Sequence, residues 1–308
     1  MADPSAYVSR PELIHRPLGP GARIALVAPS SPFDNEGFER GVAKLQKRYE
    51  VSYNTEIFER KGFLAGSYEH RLRELQAALA NPRVDAIIAA RGGYGATRIA
   101  PLIAADDVRK RGPLLVGFSD ITALHALWAH AGVSSLHAGM VAALGRASDQ
   151  HVERFCAALE GRFPERYAGL TPYAPGVAEG ILLGGNLAVL TALIGTSLFP
   201  PLHVAVLFIE DVGERPYRVD RMLTTWRHAG ALRGVRGIVV GAFEQGEPGA
   251  DGVTLSDVLR ERLSDLRIPV VAGFPAGHID DNCELPFGRR VTVDADRGEL
   301  HIHTRSHT

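Results

Sequence analysis

The sequence predicts an α/β protein with two domains, and three observations carry this prediction. Nearly all-apolar runs alternate with helical patterns in the first half, as in RIALVAP (23–29) followed by NEGFERGVAKLQKR (35–48). Similar apolar runs recur in the second half. Between them, residues 161–179 are rich in Pro, Gly and Tyr with weak periodicity. The sequence therefore predicts an N-terminal domain at 1–160, a linker at 161–179 and a C-terminal domain at 180–308.

The apolar strands of the first half indicate a parallel sheet with helices on both faces. Further strands are expected at 50–54, 84–90 and 113–118, and helices at 68–80, 97–103 and 120–131. In such sheets ligands bind beyond the carboxyl ends of the strands. In the second half, strands are expected at 180–183, 204–210, 235–243 and 268–274, and helices at 186–195, 217–229 and 254–265. A closing strand pair at 289–304 adds antiparallel character.

The amino-acid composition of the chain argues against several classes of function. The 308 residues include 34 basic and 35 acidic side chains without a basic stripe, which argues against nucleic acid or an anionic membrane as partner. No window approaches the roughly 20 apolar residues of a membrane span, and the N-terminus has no apolar core of a signal peptide. The two cysteines have no metal-like spacing. A cytoplasmic protein is expected.

Ser119 lies where the strand LLVGF ends and a helical pattern begins. A hydroxyl on such a turn is reachable by substrate, and a helix N-terminus beside it favours a developing oxyanion. The glycine that follows the serine in G-x-S-x-G is absent here. A plain helix cap at Ser119 or Asp120 is the alternative.

The segment RGGYG (91–95) also follows a predicted strand. Its adjacent glycines let a backbone N–H approach a ligand closely, so the segment could supply half of an oxyanion hole. A phosphate cradle is a second interpretation, although the segment does not match G-x-G-x-x-G. A tight turn without a ligand is the third.

Acids and a histidine follow two strands of the second half. Glu210 and Asp211 end an apolar run, with Glu214 nearby, and His278 stands in a turn-rich loop after another. His137 is a weaker candidate. A nucleophile needs a base, and the base needs an anion that holds its tautomer. The order serine, acid, histidine therefore favours acyl-transfer chemistry, although each residue alone also has a structural explanation.

Five segments in order resemble the LD-carboxypeptidase family of serine peptidases, which also includes microcin C immunity proteins. These segments are ARGGYG, GFSDITALH, GGNLAVLTALIGT, IEDVGERPYRVDR and GHIDDNCELPFG, and the resemblance spans about residues 25–293. It implies a Rossmann-like or flavodoxin-like N-terminal domain and a smaller α/β domain with barrel-like strands. The stretch HAGMV (137–141) departs from the expected form, which is closer to HGP.

The resemblance also implies roles for individual residues. It implies Ser119 as nucleophile, Glu210 as triad acid and His278 as general base. Backbone N–H groups of Gly93 (or Gly92) and Asp120 would form the oxyanion hole. The residues implied to line the substrate cleft are Arg91, Tyr94 and Asn186.

The activity implied is removal of the terminal D-alanine from murein tetrapeptides, by a homodimer that uses no metal or organic cofactor. Cleavage of a microcin-type acyl-nucleotide is the nearest alternative, but no long insertion that could enclose a nucleotide separates Asn186 from Glu210. A nucleotide- or flavin-binding protein and a non-catalytic binding protein are the alternatives from other classes.

Overall fold

The computed structural model describes residues 12–13 and 16–303, which form two sheets with helices packed against them. The strands are β1 (Arg23–Val27), β2 (Glu50–Ser52), β3 (Ala86–Ala89), β4 (Leu114–Gly117), β5 (Ser135–His137), β6 (Arg166–Tyr167), β7 (Thr171–Ala174), β8 (Val177–Asn186), β9 (Ala205–Val212), β10 (Gly237–Glu244), β11 (Val270–Ala272), β12 (Leu285–Phe287), β13 (Arg290–Asp294) and β14 (Glu299–Ile302). The helices are α1 (Asn35–Leu45), α2 (Tyr68–Ala80), α3 (Ala96–Ile99), α4 (Ala105–Arg111), α5 (Thr122–Ala131), α6 (Val141–Leu144), α7 (Asp149–Leu159), α8 (Leu187–Leu193), α9 (Pro216–His228) and α10 (Leu255–Leu263).

The first sheet has the strand order β12-β5-β4-β3-β1-β2. Its pairs from β5 to β2 are parallel, as the sequence predicts, and β12 pairs antiparallel with β5. Successive residues of a strand face opposite sides of the sheet, so Ile88 and Val116 pack into one core cluster while Ile87 and Leu115 pack into another. Helices therefore cover both faces.

The second sheet has the order β6-β14-β13-β8-β9-β10-β11-β7. The four strands from β8 to β11 are parallel, and the outer strands pair antiparallel. Helices α8, α9 and α10 bury one face, where Leu190, Leu223 and Leu259 belong to a single core cluster. The predicted α/β fold with some antiparallel character in the second half is confirmed.

Two segments pair differently from what the sequence suggests. Residues 161–179, expected to be a linker, contribute β6 and β7 to opposite edges of the second sheet. Strand β12, from the C-terminal half, joins the edge of the first sheet, where Leu285 pairs with His137. Edge strands pair with residues far away in sequence, and local periodicity contains no information about such partners. The chain therefore crosses between the two sheets more than once.

Helix ends follow the local chemistry of the sequence. Helix α2 begins after Ser67, whose side chain accepts the His70 N–H, and it spans the predicted 68–80. Helix α5 ends at Gly132 with φ +76°, the left-handed conformation that glycine adopts without penalty. None of the helices in the described residues combines the length and the apolar character needed to cross a membrane.

Candidate active site

Ser119 stands on a strained turn directly after β4. Its φ of +63° is unusual for a residue with a side chain, and the short 3₁₀ turn Ser119–Ile121 leads from it into α5. The carbonyl of Gly117 beneath this turn accepts the Ala138 N–H and also contacts His125 Nε2 at 2.9 Å. Several packed elements thus hold a serine hydroxyl at the carboxyl end of the first sheet.

His278 reaches Ser119 from the second half of the chain. Its Nε2 lies 3.0 Å from Ser119 Oγ, and its Nδ1 lies 2.7 Å from Glu210 Oε2. The imidazole packs against the Phe118 ring, with ring centroids 4.8 Å apart, and its side chain remains 20% exposed. The three residues that the sequence singles out thus form one hydrogen-bonded chain.

The two neighbouring acids at the end of β9 point in opposite directions, since side chains alternate along a strand. Glu210 is fully buried and contacts His278. Asp211 instead accepts hydrogen bonds from Asn186 Nδ2 and from the N–H groups of Ala188 and Val212, at 2.8–2.9 Å. Burial raises the pKa of Asp211 to about 6. Geometry therefore associates Glu210 with the histidine and gives Asp211 a structural role.

The double-glycine segment lies against the serine. A Cβ added at Gly92 would come within 2.9 Å of Ser119 Cβ, so only glycine fits there without a shift. Gly93 has φ +105° and packs on Ser31, whose Oγ accepts the Tyr94 N–H. The assignment of the Gly93 and Asp120 N–H groups as oxyanion donors stays a prediction. It requires the double-glycine backbone to lie close to Ser119, as it does here.

The Asp120 side chain ties the serine turn to the double-glycine segment. It is buried, and its Oδ2 accepts hydrogen bonds from Ser30 Oγ at 2.6 Å and from the Ala96 N–H at 2.7 Å. Burial raises the pKa of this carboxyl above its usual range. Because Asp120 follows Ser119 directly and Ala96 follows the segment 91–95, one carboxyl links both loops.

A cleft of about 830 Å³ opens beside Ser119 and His278. The residues that line it are Pro32, Phe33, Asp34, Arg60, Ala90, Arg91, Gly92, Gly93, Phe118, Ser119, Met140, Ala142, Ala143, Arg146, Val212 and His278. Arg91, one of the three residues implied to line the substrate cleft, lines this cleft, and its role in binding substrate stays a prediction. The lining residues Arg60 and Arg146 escape sequence reasoning because each follows a short helical turn without a local motif.

Tyr94 and Asn186 lie outside this cleft. The exposed Tyr94 ring packs on Phe63 and beneath the Arg98 guanidinium. Asn186 is buried, caps α8 by accepting the Val189 N–H, and donates to Asp211. Asn186 therefore has a structural role, since its side-chain amide donates to Asp211 and accepts the Val189 N–H inside the fold.

The other histidines near the site are buried and structural. His125 contacts Ser135 Oγ and the Gly117 carbonyl, and burial lowers its pKa to about 4. His137, the weaker candidate from the sequence, is enclosed by the rings of Phe118, Phe208 and Phe287. Across residues 12–13 and 16–303, no group of three or more His, Cys, Asp and Glu side chains could hold a metal ion.

Comparisons with known proteins agree with this architecture. Two family models match the chain, "LD-carboxypeptidase N-terminal domain" at residues 24–138 and "LD-carboxypeptidase C-terminal domain" at residues 179–293. A Streptomyces coelicolor protein whose carboxypeptidase name is provisional is 40% identical over 293 residues, covering 92% of this chain and 94% of that protein.

Solved structures extend the similarity. The muramoyltetrapeptide carboxypeptidase from Oxalobacter formigenes is 31% identical with a TM-score of 0.80, covering 92% of this chain and 99% of that one. The microcin C7 self-immunity protein MccF, solved with glutamyl sulfamoyl guanosine, has a TM-score of 0.84 at 23% identity, covering 95% and 99%. At that identity it supports the two-domain fold alone. The chain belongs to the LD-carboxypeptidase family of serine-type peptidases.

Proposed function

We propose that this carboxypeptidase removes the terminal D-alanine from murein tetrapeptides through a Ser119–His278–Glu210 triad. The observation that carries the proposal is the continuous chain of contacts, 3.0 Å from Ser119 Oγ to His278 Nε2 and 2.7 Å from His278 Nδ1 to Glu210 Oε2. Both distances lie within hydrogen-bond reach, the first requirement for a nucleophile and its base.

The carboxylate of Glu210 determines the tautomer of the imidazole. An ionised carboxylate can only accept hydrogen bonds, so His278 Nδ1 carries the proton and donates it to Glu210 Oε2. Nε2 is then unprotonated and accepts the hydrogen bond from the Ser119 hydroxyl. This is the tautomer that a general base requires.

Catalysis then proceeds in two halves. His278 Nε2 takes the Ser119 proton while Ser119 Oγ attacks the scissile carbonyl, and the N–H groups of Gly93 and Asp120 stabilise the oxyanion. The amide bond breaks as His278 returns the proton to the leaving amine of D-alanine. Water activated by His278 next attacks the acyl-enzyme, the ester bond to Ser119 breaks, and Ser119 regains its proton.

Two observations support a murein peptide as substrate. The Oxalobacter formigenes relative, 31% identical, is a muramoyltetrapeptide carboxypeptidase. In addition, only α8 and a short connection lie between β8 and β9, so this region has no long insertion that could enclose a nucleotide.

Release of D-alanine from a murein tetrapeptide tests the proposal. Ser119→Ala and His278→Ala should each reduce turnover to background while the thermal melt keeps the wild-type midpoint. His228→Ala, at the end of α9, is a matched control that should retain activity. Turnover near wild type in Ser119→Ala would reject the triad. An aminoacyl-nucleotide mimic in the same panel supplies the competing substrate, and its preferential cleavage would reject the murein assignment.

A further inference from the structure

A buried arginine contacts the segment 91–95 from outside the cleft. Arg71, on α2, is fully buried although arginine keeps its charge in proteins. Its Nη1 donates to the carbonyl of Pro29 at 2.7 Å and to the carbonyl of Gly95 at 3.0 Å. These carbonyls belong to the loops that follow β1 and β3, so one guanidinium joins two loops at the carboxyl end of the first sheet.

Stability alone does not explain a cation at this position. Burial and the charge of Arg98 lower the pKa of Arg71, and the Asp120 carboxyl opposes this shift. Among the described residues, the Nε and Nη2 atoms of Arg71 have no hydrogen-bond partner. A buried charge costs free energy unless it is well compensated, and an apolar side chain would fill the same space at less cost.

Arg71 and Asp120 hold adjacent residues of the same two loops. Arg71 binds the carbonyls of Pro29 and Gly95. Asp120 accepts a hydrogen bond from the residue that follows each of them, from a side-chain hydroxyl in the first loop and from a backbone N–H in the second. Two buried groups of opposite charge therefore join the loops to each other and to the turn that carries the nucleophile.

The direction of the Gly93 N–H depends on the loop after β1. The Ser31 N–H donates to the Gly92 carbonyl at 3.1 Å. The Gly92–Gly93 peptide is trans, so its carbonyl and its N–H point in opposite directions. The N–H of Gly93 is therefore turned away from Ser31. Because Arg71 holds this loop two residues before Ser31, it fixes the position of the residue that orients the peptide.

We propose that Arg71 is a positioning residue for the oxyanion donor at Gly93. Because Arg71 is fully buried, it acts through the loops after β1 and β3 rather than by touching the substrate. This inference rests on the proposed function and adds to it a residue that does not line the cleft. A loop misplaced by about 1 Å costs about 10²-fold in rate, and the loss of one oxyanion donor costs about 10²–10³-fold.

Three variants test the role of Arg71. Arg71→Met removes the guanidinium and keeps a long unbranched side chain. In this variant kcat for D-alanine release from a murein tetrapeptide should fall about 10²-fold and KM should change less than about threefold, because the oxyanion forms only after binding. Arg71→Lys keeps the charge without the planar fork, so kcat should fall only about tenfold. Arg73→Gln, exposed on the same helix, is the matched control and should keep the wild-type kcat.

A second readout distinguishes positioning from a general loss of structure. With a peptide aldehyde that ends at the third residue of the tetrapeptide, Ser119 Oγ adds to the aldehyde carbon, the carbonyl π bond breaks and the Ser119 proton passes to His278. The aldehyde oxygen then carries the negative charge that the Gly93 N–H stabilises. Affinity for the aldehyde should fall in Arg71→Met by the same factor as kcat/KM. The Kd of an uncleaved tetrapeptide, measured in Ser119→Ala with and without Arg71→Met, should change less than about threefold.

The outcomes separate this inference from the proposed function. A lowered melting temperature with kcat within about threefold of the wild type would show a purely structural role and overturn the positioning role. Equal losses of affinity for the aldehyde and for the uncleaved tetrapeptide would overturn it as well. If Arg71→Met does not fold, the same comparisons in Arg71→Lys decide. Either result leaves the triad standing, whereas no release of D-alanine by the wild type would refute the proposed function and this inference with it.

Discussion

Replacing Glu210 by glutamine tests the central contact of the site with almost no change in shape. The side chain is fully buried, and its Oε2 lies 2.7 Å from His278 Nδ1. The second oxygen, Oε1, has no hydrogen-bond partner among the described residues. No other contact therefore dictates whether the new amide presents its oxygen or its NH₂ to the imidazole.

The magnitude follows from these two orientations. If the NH₂ group faces Nδ1, the ring proton moves to Nε2 and the base is lost, a change that costs about 10⁴ in kcat. If the oxygen faces Nδ1, the tautomer survives and only the charge assistance of the hydrogen bond disappears, about 1–2 kcal/mol. The expected loss in kcat therefore lies between about fivefold and 10⁴-fold, smaller than that of Ser119→Ala and equal to about 1–5 kcal/mol of barrier.

The matched control is Asp211→Asn, one residue further along β9. Asp211 accepts three N–H groups, and asparagine has a single acceptor oxygen, so an N–H must face the new NH₂. That change should lower the free energy of unfolding by about 1–3 kcal/mol and reduce kcat less than Glu210→Gln does.

Single-turnover kinetics on a murein tetrapeptide and a urea titration measure the two effects separately. Glu210→Gln should lose kcat at wild-type stability, and Asp211→Asn should lose stability and keep most of its kcat. The reverse pattern would show that the wrong carboxylate is assigned to the histidine. A loss below about fivefold in Glu210→Gln would also refute the reasoning, because neither orientation allows so small an effect.

Three further changes test the glycine beside Ser119 and two buried titratable groups in the first half of the chain. Gly92→Ala places a Cβ 2.9 Å from Ser119 Cβ and therefore displaces the nucleophile. The rate of D-alanine release should fall at least about 10²-fold while the circular dichroism spectrum stays unchanged. A rate near that of the wild type would contradict the close approach of the two residues. Burial raises the pKa of Glu74 to about 7, so the folded state favours its neutral form and stability declines as pH rises from about 4.5 to 7. Glu74→Gln should remove up to about 3 kcal/mol of that decline in urea titrations across this range, and an identical pH profile would refute it. Burial lowers the pKa of His125 to about 4, so the folded state disfavours the protonated imidazole and the free energy of unfolding declines as pH falls from about 6.5 to 4. His125→Asn should flatten this decline in urea titrations across the same pH range. A decline as steep as that of the wild type would contradict the assignment.

Local patterns in the sequence were sufficient for the class of fold. Apolar strands alternating with amphipathic helices predict a parallel sheet, and β1, β3 and β4 appear within the predicted segments because a strand buried on both faces has few alternatives. The glycine after α5 and the serine before α2 set helix ends through local chemistry alone. These features depend on neighbouring residues, and the sequence displays neighbours directly.

Pairings between distant residues required the tertiary structure. The contact between Ser119 and His278 joins positions 159 residues apart, and β12 crosses to the first sheet although the rest of its half forms the second. The strand register at β9 turns Glu210 toward the imidazole and Asp211 toward Asn186, a distinction that two adjacent acids do not reveal in the sequence. By itself the sequence determined which residue types stand at the strand ends. The tertiary structure decided which of them meet, because packing and register between remote segments, rather than local preference, set those distances.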